Sequence, residues 1–271
     1  MPLSEIWKRG FIAFRSRATQ GTAKGTSPLD HLSFQRVFTL ILLMEFAFAA
    51  WVFLLSHNHA TEMAMVTGLR ATHFLMDWVV MMVAMMFPTA AVMILAFNKV
   101  QDVRHPDGAF GSTWLFVTAY LLMWAVAGIA AYAGVRVAET AALHNALSPV
   151  TAVQLGGAVL LVAGLYQFSP VKEICLSECR TPIEKTTWHR DTAGSFRMGL
   201  LHGVYCIGCN WLLFAALFPL GMSIEAMALI SLIILAEKMV PWPRAASYTA
   251  GVGLVLYGAL LIASAMSAIG P

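Results

Sequence analysis

Five residues have the types and spacing to do chemistry: Cys175, Cys179, His202, Cys206 and Cys209. All four cysteines of the chain fall within one stretch of 35 positions, 175–209. On an α-helix, which turns about 100° per residue, Cys206 and Cys209 lie about 40° and about −20° from His202, so the three share a face. Thiolate and imidazole donors suit Cu(I), zinc or iron. His202 and Cys209 stand about 10 Å apart along the axis, so one ion can use two neighbours of the stripe but not all three. The missing ligands must come from elsewhere. Cys175 and Cys179, at i and i+4, are the natural suppliers if residues 171–179 form a helical turn. Pro170 and Pro182 frame that piece as a short separate element. The same residues permit two other readings. Cys206-Ile207-Gly208-Cys209 is a C-x-x-C pair of the kind that cycles through a disulfide, and cysteine also packs as a small apolar residue.

A second stripe precedes them. In HFLMDWVVMMVAMMFPTA, His73, Asp77, Met81 and Met85 fall on one helical face with Pro88. Thioethers bind Cu(I), and an acid within an apolar span usually faces the bundle interior or a functional path. Methionine is equally a flexible packing residue. Glu45 stands near the centre of another apolar segment that contains no basic residue. It is expected to be neutral and hydrogen-bonded inside a bundle, or a supporting partner to the metal site. Glu237 and Lys238 close a further apolar segment, where an interfacial ion pair or snorkelling would account for them. Gly199 and Gly203, beside the His202 face, form a small-xxx-small pair that admits a close neighbouring helix.

The elements that position these groups follow from composition. The chain has 271 residues, 59% hydrophobic and 11% charged, and its mean hydropathy is +0.73. Soluble domains carry roughly 25% charged residues, so the expected class is all-α, a polytopic transmembrane bundle. A net charge of +3, placed in loops, gives no basis for nucleic-acid binding. Segments of about 20 mostly apolar residues occur at 37–55, 74–96, 113–133, 151–168, 198–219, 223–240 and 246–267, which predicts seven spans. A tight turn near Pro219-Leu220-Gly221 should join the fifth and sixth as an antiparallel hairpin. With the N-terminus inside, the inner segments hold fifteen Lys/Arg and the outer ones two, Arg70 and Arg136. That bias predicts a cytoplasmic N-terminus. The expected organisation is a basic cytoplasmic tail, 1–36, and a transmembrane bundle, 37–268, whose loop 169–197 carries Cys175 and Cys179 into the cytoplasm. Thiols there stay reduced, which favours metal ligation or redox chemistry over a structural disulfide. No cleaved signal peptide, internal repeat, phosphate-cradling glycine loop, serine nucleophile motif or paired-carboxylate hydrolase pattern is evident.

Three blocks, MDWVVMMVAMMFPTA (76–90), YQFSPVKEICLSECRTP (166–182) and MGLLHGVYCIGCNWLLF (198–214), together with LAEKMVP (235–241), resemble a family. It is the bacterial family of predicted metal-binding integral membrane proteins of unknown function, a DUF family. The resemblance covers most of residues 37–267. It implies Cys175, Cys179, His202, Cys206 and Cys209 as presumed metal ligands. The family pattern often carries a second cysteine where this chain has Asn210.

These observations lead to an expectation of a metal-binding protein of the bacterial inner membrane. It would handle a soft transition metal, copper ahead of zinc or iron, for transport or for delivery to a partner metallochaperone or metalloenzyme. His73, Asp77, Met81, Met85 and Glu45 would serve as pathway or supporting residues. No ATP site is present to drive transport. Two alternatives remain open: a membrane thiol–disulfide/quinone oxidoreductase using the Cys206/Cys209 and Cys175/Cys179 pairs, and a non-catalytic assembly subunit of a metalloenzyme. A non-enzymatic role is preferred over an enzymatic one.

Overall fold

The computed structural model describes residues 34–56, 71–104, 108–144, 148–180 and 192–267. Among these there are eight helices and no strand: α1 (Phe34–Ser56), α2 (Ala71–Arg104), α3 (Ala109–His144), α4 (Pro149–Tyr166), α5 (Pro170–Arg180), α6 (Thr192–Leu217), α7 (Ile224–Met239) and α8 (Pro243–Ser267). The chain divides after Val37, and the unit Phe38–Pro271 carries every feature discussed below. Residues 1–33, 57–70 and 181–191 lie outside the described set, and with them most of the expected tail, Arg70 and part of the cysteine loop.

Six helices, α1, α2, α3, α4, α6 and α8, are long and apolar enough to cross a membrane. The expected span 223–240 is α7, which has 16 residues. At the standard rise this is about 24 Å, short of a hydrocarbon core of about 30 Å. By contrast α2 and α3 have 34 and 36 residues and extend well past the expected ends at 96 and 133. Polar and charged residues such as Lys99, Arg136 and Glu139 interrupt the apolar signal there but do not break a helix.

Punctuation by capping residues is legible throughout. The Ser148 and Ser223 hydroxyls accept the backbone N–H groups of Thr151 and Ala226, each at 3.2 Å, at the starts of α4 and α7. Ser169 does the same for Lys172 at 3.1 Å, and Pro170 opens α5 without needing a backbone donor. Between α6 and α7 the chain makes the expected tight turn. Gly221 takes φ +69° and Met222 φ 48°, and the Met222 N–H closes on the Leu217 carbonyl at 2.9 Å.

The core is built on α2. Phe74, Met81, Met82, Met85, Met86, Ile94 and Phe97 are essentially inaccessible, and α3, α6 and α7 pack around them. The glycine pair works as expected. A Cβ on Gly199 would lie 2.3 Å from the Phe116 carbonyl oxygen, and one on Gly203 would lie 2.6 Å from Met123 Cβ, so α6 seats directly against α3. Pro88 lies inside α2 and cannot donate to the Ala84 carbonyl. The Trp51 indole of α1 fills that vacancy, donating to Ala84 O at 3.0 Å. A carbonyl freed within a membrane helix must find such a donor, because lipid offers none.

Candidate functional site

The site begins with α5, the short helix that the two prolines frame. Its buried residues, Lys172, Leu176 and Cys179, recur at i, i+4 and i+7 and so form one inward stripe. Leu176 and Cys179 pack in the main core. Lys172 reaches the Glu237 carboxylate at 2.7 Å, both side chains being at most 1% exposed, and also donates to Gln167. The Arg180 guanidinium donates to the Glu237 carbonyl at 2.7 Å. On the outer side Arg244 pairs with Glu173. These contacts fasten α5 to α7 and to the start of α8.

So held, α5 delivers its cysteines to α6. Cys179 Sγ lies 3.9 Å from Cys209 Sγ. Cys175, half-buried, rests against the bare face of Gly208, where an added Cβ would come within 2.8 Å of its sulfur. The Tyr166 hydroxyl donates to the Gly208 carbonyl at 2.5 Å, tying the end of α4 to the same turn. Burial, followed by the Glu178 carboxylate, pushes the Cys175 thiol above its ordinary range. The neighbouring Cys206 sulfur, together with burial, does the same for Cys179. Both shifts favour the protonated thiol, so metal binding at either releases a proton.

Cys206 is the hub. It is fully buried, as is Cys209. Lys238 Nζ donates to its sulfur at 3.2 Å and reaches Thr89 Oγ1 at 3.4 Å. The Tyr120 hydroxyl stands 3.3 Å from the same sulfur. The Asn210 amide donates to Cys209 Sγ at 3.2 Å and sits 3.7 Å from Cys206 Sγ. His202 is 4% exposed. Its ring lies against Phe116 and Tyr120, at centroid distances of 5.8 and 5.3 Å, and its Nε2 has no hydrogen-bond partner among the described residues.

Of the sequence-derived candidates, Cys175, Cys179, Cys206 and Cys209 come together where α5 meets α6. His202 is buried one helical turn from Cys206. Met81 and Met85 are buried in the core that contains Cys179, Cys206 and Cys209. Asp77 is half-buried and His73 exposed, so that stripe enters the interior only at its methionines. Glu45 departs from expectation. The inward register of α1 is filled by Thr39, Leu43, Ala47, Ala50 and Leu54. Glu45 falls about 200° from Leu43, so it is exposed and not inside the bundle. Glu237 and Lys238 also differ from expectation. Neither serves as an interfacial ion pair with the other, since Glu237 is buried on Lys172 and Lys238 turns to Cys206.

Sequence reasoning missed Lys238, Tyr120 and Asn210 as site residues. Lys238 stood in the LAEKMVP block, which was a usable signal. Asn210 departs from the family pattern, but that departure does not by itself indicate a donor to sulfur. Tyr120, 86 positions from Cys206, gives no local signal.

Among the described residues no group of three or more His, Cys, Asp or Glu side chains is arranged to hold an ion. The donor set is instead a close thiol pair with polar support. Two sulfurs sharing a metal through bonds of about 2.3 Å stand roughly 3.8 Å apart at a tetrahedral angle and about 4.6 Å apart when collinear. The Cys179–Cys209 separation of 3.9 Å falls in this range, and the pair is buried and soft.

A family model described as PpoB2, copper chaperone, matches residues 75–261. The chain belongs to this family. The match runs from early α2 into α8 and so takes in all four cysteines, His202 and Lys238, while α1 lies outside it. It supports a copper-related family, the metal-related part of what the motifs suggested. No curated protein and no solved structure matches the chain.

Proposed function

We propose that this protein is an integral membrane copper chaperone that carries Cu(I) as cargo on the α5–α6 cysteines and delivers it to a metalloenzyme. The observation that carries the reading is the Cys179–Cys209 sulfur pair at 3.9 Å, backed by the Lys238 ammonium on Cys206. Charge accounting favours it. Two thiolates and one Cu(I) leave a net charge of −1, which one ammonium cancels, and an uncompensated charge in an apolar interior is costly. Asn210 and Tyr120 supply further donors to sulfur without adding charge. Cys206 is the adjacent third thiol, and the unpartnered Nε2 of His202 is a reserve donor. Cys175, the most accessible of the four, is where cargo would arrive or leave. Met81 and Met85 offer thioethers in the same core, continuing towards Asp77 and His73.

The arrangement in the membrane is part of the proposal. Residues 1–36 form a basic cytoplasmic tail and 37–268 a bundle of seven passes in a bacterial inner membrane, with α7 as the short sixth pass. The N-terminus and the 169–197 segment face the cytoplasm, as the positive-inside bias directs.

The test is Cu(I) binding by the purified protein against a colorimetric Cu(I) chelator under reducing conditions. The wild type should retain about one copper, and Cys179→Ser and Cys209→Ser should each lose it. Equal copper in all three would overturn the assignment. A second reading has its own observation: sulfurs 3.9 Å apart are also placed for a disulfide. In an oxidoreductase the exchanging pair would then be Cys179–Cys209, across two elements, and not Cys206–Cys209. Thiol trapping in intact cells separates the two. A Cys179–Cys209 disulfide that follows respiration supports the redox reading, whereas constantly reduced thiols support the chaperone.

A further inference from the structure

The outward face of α1 carries an acid among exposed apolar side chains. Ile41, Glu45, Phe48, Val52 and Leu55 are all exposed, with Phe48 at 71% and Leu55 at 62%. Their spacing of four, three, four and three is the a/d rhythm of a helix–helix seam. It lies opposite the stripe Leu43, Ala47, Ala50 and Leu54, which packs on the bundle. Glu45 is the twelfth of the 23 residues of α1, about 16 Å from either end at the standard rise. A glutamate side chain cannot snorkel that far. No hydrogen bond or ion pair reaches it among the described residues. An acid at mid-span in bare lipid is costly, and such groups are ordinarily turned inward or paired. In this chain the inward positions are already occupied by apolar side chains and Thr39.

We propose that this face is the self-association seam of the protein, with α1 of a second copy packed in parallel against it and the two Glu45 carboxyls hydrogen-bonded across a twofold axis. The occupant follows from chemistry on both counts. A carboxylic acid is at once donor and acceptor, so two such groups facing each other are self-complementary. A heptad seam with a single central polar residue is also the pattern that fixes register and copy number between identical helices. Two copies related by an axis along the membrane normal bring the same depth of α1 together, which puts Glu45 opposite Glu45. The seam lies on the far side of α1 from the bundle, so each copy keeps its cysteine site whole.

The experiment uses the full-length protein in lipid vesicles, labelled with donor and acceptor fluorophores in separate preparations and mixed. A photo-crosslinking residue placed at Phe48, and another at Leu256 on the exposed face of α8, report which surface is in contact. The wild type should show energy transfer that rises with protein-to-lipid ratio, and self-crosslinks from position 48 but not from 256. Glu45→Leu should weaken self-association about tenfold, in line with membrane hydrogen bonds of roughly 1–2 kcal/mol. Glu45→Gln, which also donates and accepts, should retain it. Chelator-competed copper binding of each variant reports that the bundle is intact. A monomeric wild type, or Glu45→Leu associating as strongly as wild type, overturns the proposal. So does a Phe48 crosslink to a different protein that is lost in Glu45→Gln, because that pattern means a cationic partner.

Discussion

Removing the Lys172 ammonium should open the cap over the cysteine site. Lys172 and Glu237 are at most 1% exposed and 2.7 Å apart, and the second carboxylate oxygen of Glu237 already lacks a hydrogen-bond partner among the described residues. In Lys172→Met the carboxylate stays buried without its cation, and truncating one partner of such a pair costs about 3–5 kcal/mol. The helix has a way to relieve that cost short of global unfolding. The α5 segment has 11 residues and only Lys172, Leu176 and Cys179 buried, so it can lift and let water reach Glu237. Local opening of this kind exposes Cys179, a residue 6% exposed when α5 is docked. If labelling follows the opening equilibrium, then at about 1.4 kcal/mol per decade the maleimide reaction of Cys179 should accelerate by roughly 100- to 4,000-fold. The assay is labelling kinetics in a Cys175→Ser background, with the labelled site assigned by mass spectrometry. Lys172→Met/Glu237→Leu removes both charges, and replacing a buried pair by apolar groups is often neutral or stabilising, so labelling should return close to the wild-type rate. Two results refute the reasoning. Unchanged labelling in Lys172→Met means that the pair does not hold α5. Equally fast labelling in the single and double variants means that shape, not charge, fastens the helix.

Three further outcomes follow from particular contacts. Lys238→Met should lower Cu(I) affinity by about 10- to 100-fold, the usual cost of losing a group that supports a ligand, as read by chelator competition; wild-type affinity would remove Lys238 from the site. Trp51→Phe should strand the Ala84 carbonyl and cost about 1–3 kcal/mol, while Pro88→Ala in the same chain restores a backbone donor and recovers the loss; thermal unfolding in detergent reads both. Gly199→Ala places a Cβ 2.3 Å from the Phe116 carbonyl oxygen and should force α3 and α6 apart at a cost of about 1–3 kcal/mol, visible as a lower melting temperature; an unchanged melting temperature would show that the two helices are not seated on this glycine.

Where the signal in the sequence was periodic or local, it carried through. The apolar runs appear as helices, although those around 113–133 and 74–96 grow well beyond their apolar limits, because hydropathy measures lipid solubility and not helix length. Ser169-Pro170 marked the start of α5 because a hydroxyl cap and a proline each act within one turn. Gly199 and Gly203 were readable as a contact face, though not which helix would use it; α3 does. The readings of Glu45 and Lys238 fared worse for one shared reason. Each depends on the rotation of a helix about its own axis. That rotation is set by which stripe fills the core best, and only then does a polar residue find itself inside or outside.

The sequence by itself determined the class of the molecule and the chemistry available to it: apolar helices, four thiols in one stretch, and an imidazole in register with two of them. These are properties of composition and of a fixed helical repeat, so they need no tertiary information. The tertiary structure decided which thiols meet. Cys206 and Cys209 share a helix, yet Cys209 closes with Cys179, brought from α5 by an ion pair between residues 65 positions apart. It also decided that Lys238 and Tyr120, from α7 and α3, would surround Cys206. Long-range packing selects such neighbours because van der Waals contact summed over whole helix faces outweighs any single polar contact, and the polar groups then pair with whatever that packing sets beside them.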